Sequence, residues 1–311
     1  MMREAVVFYS AFDDPVAWRR ALLAELPDLD FRVAPEVGEP DDVRYVLAWK
    51  PPPGFFAPFR NLKLVVNLGS GVDSLVGRDD LPEVPISRLS DAGMVSLMTS
   101  YVLFAVIRYA RDFHHFERAQ RRGEWNYIHP RALGTFRVGV LGLGQLGGAA
   151  ARALAGVGFN VRGWSRTPRS IEGVKCVAGL DSLDGFLAET DILAIMLPIT
   201  PETRGLLDGR RLGLLPQGAK LINVSRGAVV DEPALITALR SGRIGEATLD
   251  VFAVEPLPAG HPLWTMENVL ITPHLASITV PEDAARDVAE SIRRVRSGAP
   301  PLHLVDPRRG Y

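Results

Sequence analysis

Arg137-Val-Gly-Val-Leu-Gly-Leu-Gly-Gln-Leu-Gly147 is the stretch that decides how this chain folds. Its apolar run, Val138 to Leu141, reads as a buried strand. Gly142, Gly144 and Gly147 follow at G-x-G-x-x-G spacing, and the small residues Gly148, Ala149, Ala150 and Ala151 open a helix. Strand, tight turn and helix N-terminus are the context in which that spacing binds a dinucleotide. The first glycine permits the turn, the second lets the backbone approach a pyrophosphate, and the third lets helix and strand pack closely. The anion then meets N–H groups at the positive end of the helix dipole. Outside this context the same spacing is only a glycine-rich turn.

The next strand should end near Asn160-Val-Arg-Gly-Trp-Ser-Arg166. A carboxylate at that end would hold a ribose 2′-OH. Here Ser165 fills the position and Arg166 follows, with Arg169 close behind. No acid repels a 2′-phosphate, a guanidinium is present to pair with one, and the hydroxyls of Ser165 and Thr167 can add hydrogen bonds. The pattern argues for NADP(H) over NAD(H). A solvated arginine after a strand is the plain alternative.

The chain has 311 residues, 47% of them hydrophobic, enough for two domains with separate cores. A formal charge of −1 gives no global field toward nucleic acid or membrane. The pairs Arg19-Arg20, Arg121-Arg122, Arg293-Arg294 and Arg308-Arg309 are balanced by acids and read as solvated faces. A single cysteine, Cys176, forbids an intrachain disulfide and fits a reducing compartment. The N-terminus runs straight into a strand without the shape of a signal peptide. The apolar segment Tyr101 to Ile107 is too short to span a bilayer. A cytoplasmic protein is expected.

The first third alternates strands (5–9, 31–33, 45–49, 64–68, 85–89) with a helix over 16–26, a small doubly wound α/β unit. One long helix is expected over about 93–122, with Leu97, Tyr101, Phe104, Ala105 and Arg108 along one stripe. Further strands are expected at 138–141, 161–164, 192–197, 220–224, 247–251 and 269–271. A last helix, 281–296, would carry the chain back to the first domain. A cleft between the domains is where a substrate should meet the nicotinamide.

Hydride transfer to a carbonyl needs a proton donor, a group that sets the donor, and a cation for an anionic substrate. Asn223-Val-Ser-Arg-Gly227, Asp250-Val-Phe-Ala-Val-Glu-Pro256 and Thr272-Pro-His-Leu-Ala276 each follow a predicted strand. Ligands of open α/β sheets bind at that edge. Taken singly, Arg226 is a turn arginine, Glu255-Pro256 a loop end and His274 as readily structural as catalytic. Three such residues after successive strands of one nucleotide domain are harder to dismiss. His114, His115, His129, His261 and His303 have no comparable setting and read as surface or packing residues.

These residues resemble the D-isomer-specific 2-hydroxyacid dehydrogenase family over essentially the whole chain. The motifs that carry it are Gly142-Leu-Gly-Gln-Leu-Gly147, Leu197-Pro198 with Thr200 and Thr203, Asn223-Val-Ser-Arg-Gly227, Asp250-Val-Phe, Glu255-Pro256 and Thr272-Pro-His274. Asn67-Leu-Gly-Ser-Gly-Val-Asp-Ser74, Gly163-Trp-Ser-Arg166, Pro262-Leu-Trp264 and the tail from Val305 to Tyr311 look like its bacterial glyoxylate/hydroxypyruvate reductase A branch. The resemblance implies an α/β fold of two doubly wound domains. Residues 1–99 and 282–311 would form a smaller flavodoxin-like substrate domain, and 100–281 a Rossmann dinucleotide-binding domain.

It also implies roles. His274 would be the general acid in reduction and the base in oxidation, and Glu255 would hydrogen-bond and orient its imidazole. Arg226 would bind the substrate carboxylate, the N–H groups of Gly71 and Val72 would complete that cradle, and Asp250 would hold the nicotinamide carboxamide. Gly142, Gly144, Gln145, Leu146, Gly147, Trp164, Ser165, Arg166, Thr167, Arg169, Leu197, Pro198, Thr203, Val224, Ser225, His274 and Ala276 would line the cofactor, and no metal is implied. Trp49 and Trp264 are placed at the wall of the substrate pocket, with ordinary core packing as the alternative.

The expected reaction is NADPH-dependent reduction of glyoxylate and hydroxypyruvate. Reduction of another 2-ketoacid (phenylpyruvate or a branched one) and dinucleotide sensing without turnover are the alternatives. The family resemblance implies a homodimer, with the long helix and the 111–130 segment at its interface.

Overall fold

The computed structural model describes residues 4–306, so the Arg308-Arg309 pair and the end of the tail motif lie outside the described residues. The chain begins with β1 (Ala5–Tyr9), α1 (Pro15–Glu25), β2 (Asp30–Val33), β3 (Val43–Ala48), β4 (Leu64–Asn67) and β5 (Ile86–Arg88). These strands form one parallel sheet in the order β2-β1-β3-β4-β5. Asp14 starts α1 by accepting the Val16 N–H, and Pro15 follows at the position where a missing N–H does no harm.

The helices α2 (Ala92–Ala110) and α3 (Phe113–Arg121) lead into β6 (Arg137–Leu141), α4 (Gln145–Val157), β7 (Asn160–Ser165) and β8 (Val174–Ala178). Then come α5 (Leu183–Ala188), β9 (Ile192–Ile195), α6 (Gly209–Leu214), β10 (Ala219–Asn223), α7 (Glu232–Arg240), β11 (Ile244–Leu249), β12 (Val269–Ile271) and α8 (Pro281–Arg296). The seven strands β6–β12 are all parallel, in the order β12-β11-β10-β9-β6-β7-β8. The order reverses at β6/β9, the switch point where such sheets bind ligands.

The chain divides into two compact units, one running up to Met94 and resuming at Ile278, the other Val95–Ser277. One joint therefore lies inside the first turn of α2. Each sheet is buried on both faces, so its strands read as apolar runs whose side chains alternate between two cores. In the larger unit Val138, Val140, Ile192 and Ala194 join the core beneath α2 and α4. Leu141, Leu193, Ile195 and Leu221 join the opposite one, with residues of α5, α6 and α7. In the smaller unit Val6, Phe8, Tyr45 and Leu47 pack with Trp18 and Leu22 of α1 and Val288 and Ile292 of α8.

Three expectations need correction. The long helix over 93–122 is two helices, because Asp112 adopts φ 57°. Its short polar side chain tolerates that left-handed turn better than a branched one would. The inward stripe of α2 is Met98, Val102, Ala105, Val106 and Tyr109, whereas Leu97 and Phe104 are 39% and 53% exposed. This helix is apolar around most of its circumference, so periodicity could not select the inner face. By length and hydropathy it could cross a membrane, yet one of its faces forms a core of the unit and its Arg108 pairs with Glu117. The edge strand β8 was not expected, being half-buried apart from the exposed Lys175.

Candidate active site

The glycine turn follows β6 at the switch point. Gly142 has φ +113°, and a Cβ on it would lie 2.6 Å from the Met196 carbonyl oxygen. A Cβ on Gly147 would lie 1.9 Å from the carbonyl oxygen of Gly142. Gly144 differs, since a Cβ there would meet no heavy atom within 4 Å. The chain itself thus demands the first and third glycines and leaves an open cradle at the second. No side chain caps α4 and its first turn carries no acid. These features fit a pyrophosphate bound at that helix end.

At the end of β7 no carboxylate is found. Ser165 is buried, and its hydroxyl donates to the Thr167 carbonyl at 2.8 Å. Arg166, Thr167 and Arg169 are exposed. Trp164 is turned into the core, with its indole N–H given to the Gly179 carbonyl. Leu197 is buried and Pro198 exposed at the exit of β9. The Thr203 hydroxyl accepts the Thr200 N–H and donates to the Pro198 carbonyl, each at 2.7 Å. It closes its own loop.

Because β10, β11 and β12 are adjacent and parallel, the loops bearing Arg226, Glu255 and His274 leave the same sheet edge side by side. The His274 Nδ1 lies 2.8 Å from Glu255 Oε2, while Glu255 Oε1 accepts the Phe252 N–H at 3.1 Å. A carboxylate only accepts, so Nδ1 carries the proton of this bond. His274 itself sits at φ 56°, rare for a residue with a side chain.

The brace for that conformation is Asp250, which is 1% exposed. Its carboxylate accepts the Thr272 hydroxyl at 2.6 Å and the Leu275 and Ala276 N–H groups at 2.9 Å each. Its backbone carbonyl takes the His274 N–H at 2.9 Å. Burial pushes the Tyr101 hydroxyl up to about 12, so it remains a phenol and donates to Thr272 Oγ1 at 2.6 Å.

Arg226 is placed by Asn223, whose Oδ1 accepts the Ser225 N–H and hydroxyl and whose Nδ2 donates to the Arg226 carbonyl. Val224 and Ser225 are buried. A Cβ on Gly227 would lie 1.9 Å from the Phe252 carbonyl carbon, so only glycine lets the Arg226 turn rest on the loop that bears Glu255. Asn223, Tyr101 and Thr272 were not anticipated as site residues. Asn223 and Thr272 open two of the motifs quoted above, but their hydrogen-bonding roles depend on distant partners or turn geometry, and no local pattern announces Tyr101.

His261 also proves to have a carboxylate partner, Glu232 at 3.1 Å. Its other nitrogen accepts the Leu263 N–H, so the ring is spent on holding the turn that carries Trp264. Trp264 is 50% exposed and gives its indole N–H to the Pro258 carbonyl. Trp49, Gly71 and Val72 belong to the smaller unit, at the carboxyl ends of β3 and β4. Val72 is buried there, and Trp49 packs partly against the core.

A dinucleotide turn at the switch point, and a histidine–carboxylate pair with an arginine in the next loop, define a nicotinamide-dependent oxidoreductase. Residues 103–276 match the family profile "D-isomer specific 2-hydroxyacid dehydrogenase, NAD binding domain". The chain is 40% identical to a glyoxylate/hydroxypyruvate reductase A of Serratia proteamaculans, over 98% of this chain and 99% of that protein. A D-isomer specific 2-hydroxyacid dehydrogenase of Xanthobacter autotrophicus, crystallised with NADPH and MES, is 62% identical with a TM-score of 0.96, covering 99% of this chain and 100% of that one. An NADPH-dependent glyoxylate/hydroxypyruvate reductase of Sinorhizobium meliloti, in complex with NADP and sulfate, is 34% identical with a TM-score of 0.93, covering 99% and 100%. The chain belongs to the D-isomer-specific 2-hydroxyacid dehydrogenase family.

Proposed function

We propose that this protein reduces small 2-ketoacids with NADPH, glyoxylate to glycolate and hydroxypyruvate to D-glycerate. The observation that carries the reading is the His274–Glu255 pair, held at 2.8 Å on the sheet edge that also bears the glycine turn. NADPH, when bound, supplies the hydride. Gly142, Gly144 and Gly147 shape its pyrophosphate site, and Arg166 and Arg169 offer cations to its 2′-phosphate. The NADP(H)-bound relatives support that choice.

The ketoacid carboxylate pairs with Arg226, whose charge also polarises the carbonyl oxygen. With Nδ1 engaged by Glu255, His274 exchanges its proton through Nε2, giving it to the carbonyl oxygen in reduction and taking it back in oxidation. Asp250 keeps the imidazole in place through the backbone of its loop, and a contact with the nicotinamide carboxamide is the further role proposed for it. The N–H groups of Gly71 and Val72 are proposed to receive the substrate carboxylate, and Trp49 and Trp264 to limit the size of its substituent.

The protein is further proposed to work as a cytoplasmic homodimer on a small-molecule substrate, without nucleic acid or membrane. Leu97, Phe104 and Phe113 are 39%, 53% and 48% exposed, and Trp125 and Tyr127 are 98% and 78% exposed, an apolar surface suited to a second copy. The deciding experiment is a matrix of kcat/KM values for NADPH and NADH with glyoxylate, hydroxypyruvate and phenylpyruvate. The first two should be preferred, with NADPH. Absence of turnover on every ketoacid would remove the reaction, and an NADH preference would remove the cofactor choice.

A further inference from the structure

Asn67, the last residue of β4, is wholly buried at the carboxyl edge of the smaller unit's sheet. Its Nδ2 donates to the carbonyls of Gly69 at 2.7 Å and Gly71 at 3.0 Å. The Leu89 N–H also reaches the Gly69 carbonyl at 3.2 Å, and Arg88 reaches that of Ser70 at 3.4 Å. Three successive carbonyls are therefore drawn toward donors of the unit. In a trans peptide the C=O and the following N–H point in opposite directions. The N–H groups of Ser70 and Val72 are thus turned away from Asn67 and that of Gly71 away from Arg88, and successive amides of such a turn can form a concavity that attracts anions.

The turn is pinned on both flanks. Val72 is 2% exposed, and a Cβ on Gly69 would lie 2.5 Å from Trp49 Cζ3. The Asn67 Oδ1, by contrast, is buried with no hydrogen-bond partner among the described residues. A buried amide with one end unsatisfied is poor economy for stability alone. Its retained value lies in what the Nδ2 end does to the turn.

We propose that Asn67 is the positioning residue of a three-amide nest, Ser70, Gly71 and Val72, that receives the carboxylate of the 2-ketoacid. The proposal deepens the reductase reading and rests on it. Asn67 touches no substrate and acts only through the orientation of the three peptides.

The test compares Asn67→Ala, Asn67→Asp, Asn67→Ser and Gly71→Ala by steady-state kinetics with glyoxylate and NADPH, inhibition by oxalate, and melting temperature. For Asn67→Ala, the glyoxylate KM and the oxalate inhibition constant should both rise about tenfold, a tenfold change being the effect of one lost modest interaction. The NADPH KM should hold, and kcat at saturating ketoacid should fall far less than KM rises. In Asn67→Asp the new carboxyl faces two carbonyls and lies behind an anion site, so its defect should exceed that of alanine at pH 8 and shrink toward pH 5.5 as the buried group takes a proton. Asn67→Ser withdraws its donor by one bond from both carbonyls, so it should raise the glyoxylate KM and the oxalate inhibition constant much as alanine does while keeping a polar group in the buried site. It carries the test if Asn67→Ala does not fold.

Parental glyoxylate KM and oxalate inhibition in the folded Asn67 variants, alongside a raised KM in Gly71→Ala, would overturn the role of Asn67. A parental KM in Gly71→Ala as well would overturn the carboxylate site itself. A uniform loss in kcat, NADPH KM and melting temperature without the KM split would reduce Asn67 to a structural residue.

Discussion

Asp250→Asn separates the two tasks combined in the His274 loop, its folding and its chemistry. The aspartate is 1% exposed and accepts three hydrogen bonds, at 2.6, 2.9 and 2.9 Å, from Thr272, Leu275 and Ala276. An amide of the same shape keeps one acceptor oxygen and sets an NH2 where the other stood. With its oxygen left toward Thr272 and Leu275, the Ala276 N–H loses its acceptor and faces a second donor. A hydrogen bond to a charged group contributes about 1.5–3 kcal/mol, and an orphaned buried donor costs about 1–3 kcal/mol. Because both act on the same N–H they overlap, and about 3 kcal/mol is a fair sum. In a unit the size of Val95–Ser277 each kcal/mol moves Tm by about 2–4 °C, so the Tm of that unit should fall by about 6–12 °C. His274 also loses part of what holds it at φ 56°, a backbone region that costs roughly 1–3 kcal/mol to occupy. Relaxation of that residue carries the imidazole with it, and a displacement of about 1 Å lowers a rate by about 100-fold. The assays are thermal melting and NADPH oxidation followed by absorbance with saturating glyoxylate. A variant with parental Tm and parental kcat would refute the brace. One that melts lower yet keeps its kcat would show that the strained histidine is held by other contacts.

Three further outcomes follow from the same geometry. Ser165→Asp combined with Arg166→Gln places an acid where a 2′-phosphate would sit, and should move kcat/KM from NADPH toward NADH by at least about 100-fold, since a charged pair is exchanged for a repulsion; an unchanged ratio would mean that the 2′-phosphate site lies elsewhere. Gly144→Ala should fold with a Tm close to the parent's but raise the NADPH KM about tenfold or more, whereas Gly147→Ala should fail to accumulate as folded protein; equal behaviour of the two would contradict the open cradle. Burial alone would raise Asp191, but Arg137, at 2.5 Å through its side chain and also through its backbone N–H, holds the carboxyl below its ordinary 3.8. That stabilisation is present above the unfolded value and is lost as pH falls through the folded one. Asp191→Asn should therefore flatten the acid limb of the Tm profile below about pH 4, and an unaltered limb would show that the pair does not titrate there.

The parts of this structure that could be read from sequence are those decided locally. Strand runs such as Val138–Leu141 are apolar because parallel strands are covered on both faces, and the loops after β10, β11 and β12 share an edge because parallel strands share a direction. What stayed hidden depends on single backbone angles or distant partners. Asp112 breaks a helix through one left-handed residue in a stretch of otherwise good helical pattern. The chain of hydrogen bonds from Tyr101 through Thr272 to Asp250 spans 171 positions in its first link and 22 in its second. Trp164 sits in a motif that suggests a ligand contact, and only packing shows its ring in the core.

Spacing treats the three glycines of the turn as equals, and the structure does not. Gly142 is required by its own φ and by the Met196 carbonyl, and Gly147 by the Gly142 carbonyl, so both would be glycine even if nothing were ever bound. Neither can report a ligand. Gly144 has φ −68°, an angle any residue adopts, and space around its missing Cβ. No internal contact explains why a side chain is excluded there, and glycine at that point lowers the intrinsic stability of the segment. A pyrophosphate bound at the N-terminus of α4 would occupy the space a side chain would take. The same logic applies at Gly227, in the other direction. Its Cβ would strike the Phe252 backbone, so it serves the packing of the Arg226 turn, and its presence in a motif is evidence of architecture. Among the glycines of these two loops, Gly144 is therefore the one whose identity speaks for a bound dinucleotide.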